Sequence, residues 1–292
     1  MTRIALFLGL LATPTLVLAD APRVVTDIAP VQSLVAQVME GVATPELLTD
    51  RDASPHHVQL RPSQMQALAQ ADLVIWVGEA LTPWLERAVS GLSDATSLEL
   101  LHVAGLHMPE GHHAEDGHDH DHGDLDPHAW LDPENARVWL AEIATALAQS
   151  DPENAEAYAQ NAARADAALV ALKAEITALL PTPAHPVVTF HQGYGHFASR
   201  FGRDIVGAIT QGDAAPASAA RIATLRRQLV AENVTCVFSE PQLDPALARV
   251  VTEGTGIGIG TLDPMGRDLP LGLALYGDMM RTLARNFAAC DG

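Results

Sequence analysis

Short apolar, β-branched runs alternate with stretches of helical periodicity along this chain, and the alternation restarts once. Arg23–Ile28 (RVVTDI) reads as a strand, Val31–Glu40 as a helix, Glu46–Leu48 as a weak strand and Ser63–Ala69 as a helix. Asp72–Gly78 (DLVIWVG) is a continuous apolar run, the pattern of a strand covered on both faces. Thr82–Val89 follows as a helix and Leu98–Val103 as a strand. Asp132 then caps a helix over Pro133–Ala148, with proline at its first position. The second round reads Val187–Phe190 as a strand, Tyr194–Phe201 as a helix, Ile205–Ile209 as a strand and Ala217–Ala231 as a helix. It closes with a strand at Thr235–Ser239, a helix at Pro245–Thr252, a strand at Ile257–Leu262 and a helix at Leu273–Ala289. This rhythm predicts an α/β fold of two lobes, each a parallel sheet flanked by helices.

Between the two rounds, Asp-Pro-Glu-Asn recurs at 151–154, and no Gly or Pro follows Pro152 until Pro181. That stretch allows one helix of roughly 40 Å. It predicts a linking helix over 151–180, joining an N-terminal lobe (20–150) to a C-terminal lobe (181–292). Two shorter packed helices with an unmarked bend are the alternative. In open parallel sheets ligands bind beyond the carboxyl ends of the strands, so residues just after strands are the first candidates for chemistry.

Charge and the N-terminus narrow the class. The 292 residues carry a formal charge of -19 and a single lysine, Lys173. A chain this acidic repels nucleic acid and fits a partner that is a cation. Arg3, the apolar run Ile4–Val17 and the small residues Val17 and Ala19 read as a secretory signal peptide over 1–19, with an anchor helix as the alternative. No later stretch is apolar for the ~18 residues of a membrane span, so the mature protein is expected to be exported and soluble. Export favours joining the only two cysteines, Cys236 and Cys290, with two buried free thiols as the alternative.

Histidines carry the candidate chemistry, in two groups. The segment 109–126 (PEGHHAEDGHDHDHGDLD) holds His112, His113, His118, His120 and His122 among seven acids, with almost nothing apolar. It is expected to be a mobile loop that binds borderline cations such as Zn²⁺ weakly. The second group sits where strands or ordered loops end: His56 in ASPHH, His128 in DPHAW, His191 after Val187–Phe190, and Asp263 after Ile257–Leu262. Taken singly, each also fits a satisfied polar residue or a cap. Together they place three imidazoles and a carboxylate on one rim of two lobes, a donor set that suits tetrahedral Zn²⁺. Glu240, just after its strand, fits either a group orienting a ligand or a surface carboxylate.

The segments ASPHHVQLRPSQ, DPHAWLDPENAR, FHQGYGHFASRFG and CVFSEPQL…GIGTLDPMG appear in order and resemble the zinc-binding proteins of bacterial zinc-uptake ABC transporters. The resemblance covers the whole chain after the signal segment. It implies two α/β lobes joined by one long helix, with the metal in the cleft between them. It also implies one tight Zn²⁺ held by His56, His128 and His191, with Asp263 as the matching carboxylate or a water in its place. Weak extra binding in the loop, a Cys236–Cys290 disulfide, and delivery of zinc by a monomer in the periplasm to an inner-membrane permease with its ATPase follow in the same way. Manganese relatives carry a carboxylate where His191 stands, so the histidine favours zinc.

The chain departs from that family at Val58, where a tyrosine is frequent, and at Pro55, where some members supply a glutamate ligand. His57 competes with His56 as first ligand. His185 and His196 read either as surface residues or as residues that back the ligands. A zinc hydrolase would use a similar donor set, but no HExxH occurs and no convincing general base is present, so the chain is not expected to be an enzyme. An exported metal-buffering or surface-attachment protein leaves the ordered histidines unexplained.

Overall fold

The structure, a computed structural model, describes residues 21–92, 96–109, 125–210 and 218–290. The signal-peptide reading (1–19) and the five loop histidines His112, His113, His118, His120 and His122 lie outside the described residues.

Two four-stranded parallel sheets are present. β1 (Val24–Thr26), β2 (Glu46–Leu47), β3 (Leu73–Trp76) and β4 (Thr96–Glu99) are ordered β2-β1-β3-β4. β5 (Val187–His191), β6 (Ile205–Thr210), β7 (Cys236–Ser239) and β8 (Gly258–Thr261) are ordered β6-β5-β7-β8. The connections supply helices α1 (Ala29–Val38), α2 (Pro62–Ala69), α3 (Pro83–Val89), α4 (Pro133–Ser150), α5 (Ala155–Leu179), α6 (Gly195–Phe201), α7 (Ala219–Ala231), α8 (Ala246–Thr252) and α9 (Leu275–Cys290). All strands run parallel, but the order in which they are laid down changes direction between β1 and β3 and again between β5 and β7, which opens a crevice at their carboxyl ends.

One predicted strand is displaced. The sequence places it at Leu98–Val103, but β4 ends at Glu99, opposite the last residue of β3, Trp76. With no partner beyond that point, Leu100–His102 turns into a 3₁₀ helix that buries Leu100 and Leu101. The Leu100 carbonyl accepts from Trp139 Nε1 at 3.0 Å.

The long helix forms, after a 3₁₀ turn at Pro152–Asn154, over 25 residues. It is not a bare rod between lobes. It runs antiparallel to α4: Arg137 grips Asp166 with two hydrogen bonds, and Glu134, one turn earlier on α4, is bound by Lys173, seven residues later on α5. Tyr158, Ala162, Ala165, Leu169, Leu172 and Ile176 recur at three- and four-residue spacing and are buried on one stripe. The stripe packs against α1, α4 and α9. The main apolar core is therefore continuous from Val24 and Ile28 through α5 to Tyr276 and Phe287, and the lobes share it. Cys236 and Cys290 are joined, tying β7 to the end of α9 across 54 residues. Closing a loop of that length contributes about 4 kcal/mol in the chain-entropy description.

In the first lobe the crevice is plugged by a side chain of the chain itself. Asp27, fully buried after β1, accepts hydrogen bonds from Ile28 N at 2.8 Å and Val77 N at 2.9 Å. Burial outweighs these bonds and raises its carboxyl from 3.8 to about 7. Folding thus favours the protonated form, so the stability it contributes is present below the unfolded value and is lost as pH rises through about 7. We expect the stability difference between wild type and Asp27→Asn, measured by denaturant unfolding without metal, to shrink steadily from acid to neutral pH. A pH-independent difference would contradict this assignment.

Candidate metal centre

His191 is the last residue of β5 and Glu240 the first after β7, so both stand at the crevice of the second lobe. Glu240 Oε1 lies 2.6 Å from His191 Nδ1, and both side chains are buried. From the first lobe, His128 sits just before the turn Ala129–Leu131 that leads into α4. Its Nδ1 lies 2.7 Å from Asp126 Oδ1. Burial by itself would raise the Asp126 carboxyl; the hydrogen bond and charge of His128, with the charge of His196, outweigh it and hold Asp126 down at about 2.

A carboxylate only accepts, so Asp126 and Glu240 hold a proton of each ring on Nδ1, and when both rings are neutral their Nε2 lone pairs are bare. Those two Nε2 atoms face each other at 3.1 Å. Bare lone pairs at that distance repel unless a positive centre lies between them. A tetrahedral Zn²⁺ at about 2.0–2.1 Å from each donor would hold two donors roughly 3.3 Å apart, close to the observed separation.

His56 completes the group, its ring 5.5 Å from that of His128. It is half-buried and lines the cavity, whereas His57 is exposed and does not. Trp84 Nε1 donates to the Pro55 carbonyl at 2.8 Å and so steadies the chain just before His56. The three imidazoles, Glu240, Trp130 and Met265 line one cavity of about 20 Å³, room for a single small ion or one water. Among the described residues no three His, Cys, Asp or Glu side chains already stand as a formed cation site, so the side chains would have to turn to ligate an ion together.

Asp263 does not line this cavity. Its Oδ1 accepts from Met265 N at 3.1 Å and Gln242 Nε2 at 3.2 Å, and its Oδ2 from Arg267 N at 2.6 Å. The carboxylate that meets His191 is therefore Glu240. Of the two alternatives read for these histidines, His185 is exposed, whereas His196 is fully buried behind the residue that partners His128. It lies 3.2 Å from Asn135 Nδ2 and donates from Nε2 to the Asp126 carbonyl at 3.0 Å, and burial pushes its pKa down.

Sequence reading passed over two glycines in QGYG. A Cβ at Gly193 would lie 2.1 Å from His191 Nε2, and one at Gly195 would lie 2.7 Å from Asp126 Oδ2. Neither position admits a side chain while the His191 ring and the Asp126 carboxylate stand as they do. The only signal in the sequence was the density of glycines beside a strand-end histidine.

Two parallel lobes sharing a core, with imidazoles converging across their seam, define a bilobal solute-binding protein built for a cation. The family described as zinc-uptake complex component A, periplasmic (ZnuA) matches residues 24–290. The high-affinity zinc uptake system protein ZnuA of Paracoccus denitrificans is 41% identical, over 99% of this chain and 97% of that relative. Its counterpart in Brucella abortus is 36% identical, over 91% of each. A crystal structure of ZnuA shares the fold with a TM-score of 0.79 at 24% identity, covering 94% of this chain and all of that one. The chain belongs to this family of periplasmic zinc-uptake components.

Gly193→Ala is expected to displace the His191 ring and weaken zinc binding by at least about tenfold, as loss of an oriented ligand does, with the fold retained. Competition against a zinc chelator, with circular dichroism as the fold control, reads this out. Unchanged affinity would show that His191 does not ligate in this rotamer.

Proposed function

We propose that this protein captures Zn²⁺ in the periplasm and delivers it to the permease of an ABC transporter. The supporting observation is the pair of Nε2 atoms, one from each lobe, brought to 3.1 Å by carboxylates that fix their tautomers. In this reading His56, His128 and His191 ligate the ion. Asp126 and Glu240 orient two of the rings, and a water or a reoriented Asp263 fills the fourth place. The division into a lobe at 20–150, a linking helix at 151–180 and a lobe at 181–292 belongs to the same reading, as do cleavage of 1–19 and a monomeric state. So do the weak sites at His112, His113, His118, His120 and His122, which would collect metal near the cleft. Among the described residues no helix is long and apolar enough to cross a membrane, which accords with a periplasmic receptor that needs a separate permease and ATPase. The protein binds and hands over its cargo unchanged; it is not an enzyme.

Nitrogen donors suit Zn²⁺ better than Mn²⁺, and a neutral imidazole is required for each bond. Competitive titration is expected to show one tight zinc site with manganese bound far more weakly, and His191→Ala to abolish the tight site. Deleting 111–123 should lower the number of zinc ions bound while the tight site persists. Loss of tight binding with the loop would overturn this division of labour, and failure of a deletion strain to show any zinc-limited growth defect would overturn the transport role.

A further inference from the structure

Two arginines cross the seam beside the cavity in opposite directions. Arg51, in the loop after β2 that goes on to His56, gives its guanidinium to the carbonyls of Gly266 and Leu269 in the second lobe. Arg267, in that second-lobe loop, reaches back to Asp52 with its Nε 2.5 Å from Oδ1. The same guanidinium donates from Nη1 to the Pro241 carbonyl at 2.8 Å, next to the glutamate that orients His191. Its backbone N–H holds Asp263. The loop bearing His56 is thus laced to the 263–269 segment, and through Arg267 to Pro241, the two stretches that frame the other half of the cavity.

The lacing differs in character from the rest of the seam. His128 and His191 are 4% and 3% exposed and stand on segments fixed by buried bonds, whereas His56 is half-buried on a loop. The Asp52 side chain is 76% exposed, so its ion pair with Arg267 is screened and weak. Arg51 Nε is buried with no hydrogen-bond partner, which offsets part of what its two carbonyl bonds contribute. Such a fastening holds a loop in place and opens at little cost.

We propose that Arg51 and Arg267 form a reciprocal clasp that sets how fast the bound cation leaves, by controlling when the loop of His56 lifts from the second lobe. They are positioning residues that act through His56, which makes His56 the first ligand to depart. The inference rests on the reading of the three histidines as zinc ligands.

The test measures zinc dissociation from the purified full-length protein by stopped flow into excess chelator, alongside the association rate. Wild type is compared with Arg51→Met, Arg267→Met, the double variant and Asp52→Asn. The arginine variants should release zinc about tenfold faster with association little changed, because contacts of this kind act mainly on the off-rate. The double variant should fall short of the product of the single effects, since both arginines close one clasp. Added salt should speed release from wild type and from Arg51→Met but not from Asp52→Asn. The visible spectrum of bound Co²⁺ should stay tetrahedral throughout, which general damage to the site would not allow. Release at the wild-type rate in every variant overturns the clasp and leaves the zinc reading standing. Equal losses in association and dissociation, or a changed cobalt spectrum, would also overturn it in favour of a structural role. A wild type that binds no zinc removes both. If an arginine variant fails to fold, Asp52→Asn, altered only at an exposed carboxylate, carries the salt test alone.

Discussion

The arrangement depends on one segment, Asp126–Asn135, which passes through the seam and is held from both lobes. Asp126 orients His128, and its carbonyl is held by His196 of α6. Trp130, fully buried, donates to the Pro264 carbonyl at 2.8 Å, while its own carbonyl accepts from Tyr276 of α9. Asp132, also fully buried, caps α4 through Glu134 N and binds Arg200 of α6 with two bonds of 2.7 and 2.8 Å. Removing one partner of a buried ion pair costs about 3–5 kcal/mol, and the low end applies because Arg200 is partly exposed. A histidine placed on any less constrained segment could not hold its ring nitrogen opposite that of a residue 63 positions away.

Both sheets have the same strand order, so the chain builds two equivalent crevices and uses them differently. In the first lobe Asp27 reaches from β1 to Val77 at the end of β3 and closes the gap with its own carboxylate. In the second lobe the equivalent places carry His191 and Glu240, which bond to each other and present an imidazole outward to the seam. One crevice is a buried joint and the other holds a donor.

The lobes, their strands and the long helix were legible because each rests on local signals: period, caps and proline. The strand-end histidines were legible because topology puts such residues at a sheet's functional edge. What was not legible depended on contacts between distant parts of the chain. Nothing near His196 announces that it is buried beneath Asp126, and nothing in DPHAW says that its aspartate is the partner of its histidine. The reach of Gly193 toward His191 is a matter of tenths of an ångström. The packing of α5 along α4 needed the pairing of Arg137 with Asp166, 29 residues on, which charge patterning within one helix does not reveal. Asp263 was read from its place after a strand, but the turn that follows offers it two backbone amides, which engage both of its oxygens.

That last point bears on which cation the proposed site prefers. Asp126 and Glu240 direct their charge to Nδ1 atoms, and Asp263 directs its own to amides, so the acidic groups nearest the cavity are each engaged by another partner. A cation placed there meets nitrogen first. Hard ions such as Mg²⁺, Ca²⁺ and Mn²⁺, which seek six or more oxygen ligands, find neither the donors nor the room in about 20 Å³. Donor type alone does not reject Cu²⁺ or Ni²⁺, which bind imidazole at least as strongly as Zn²⁺. Geometry has to do that. The rings of His128 and His191, converging from two lobes on segments braced by buried bonds, cannot turn into the tetragonal plane those ions favour without breaking the Asp126 or Glu240 hydrogen bond that orients them. In the proposed reading, rigidity in the seam and selectivity in the cavity are the same property of the fold.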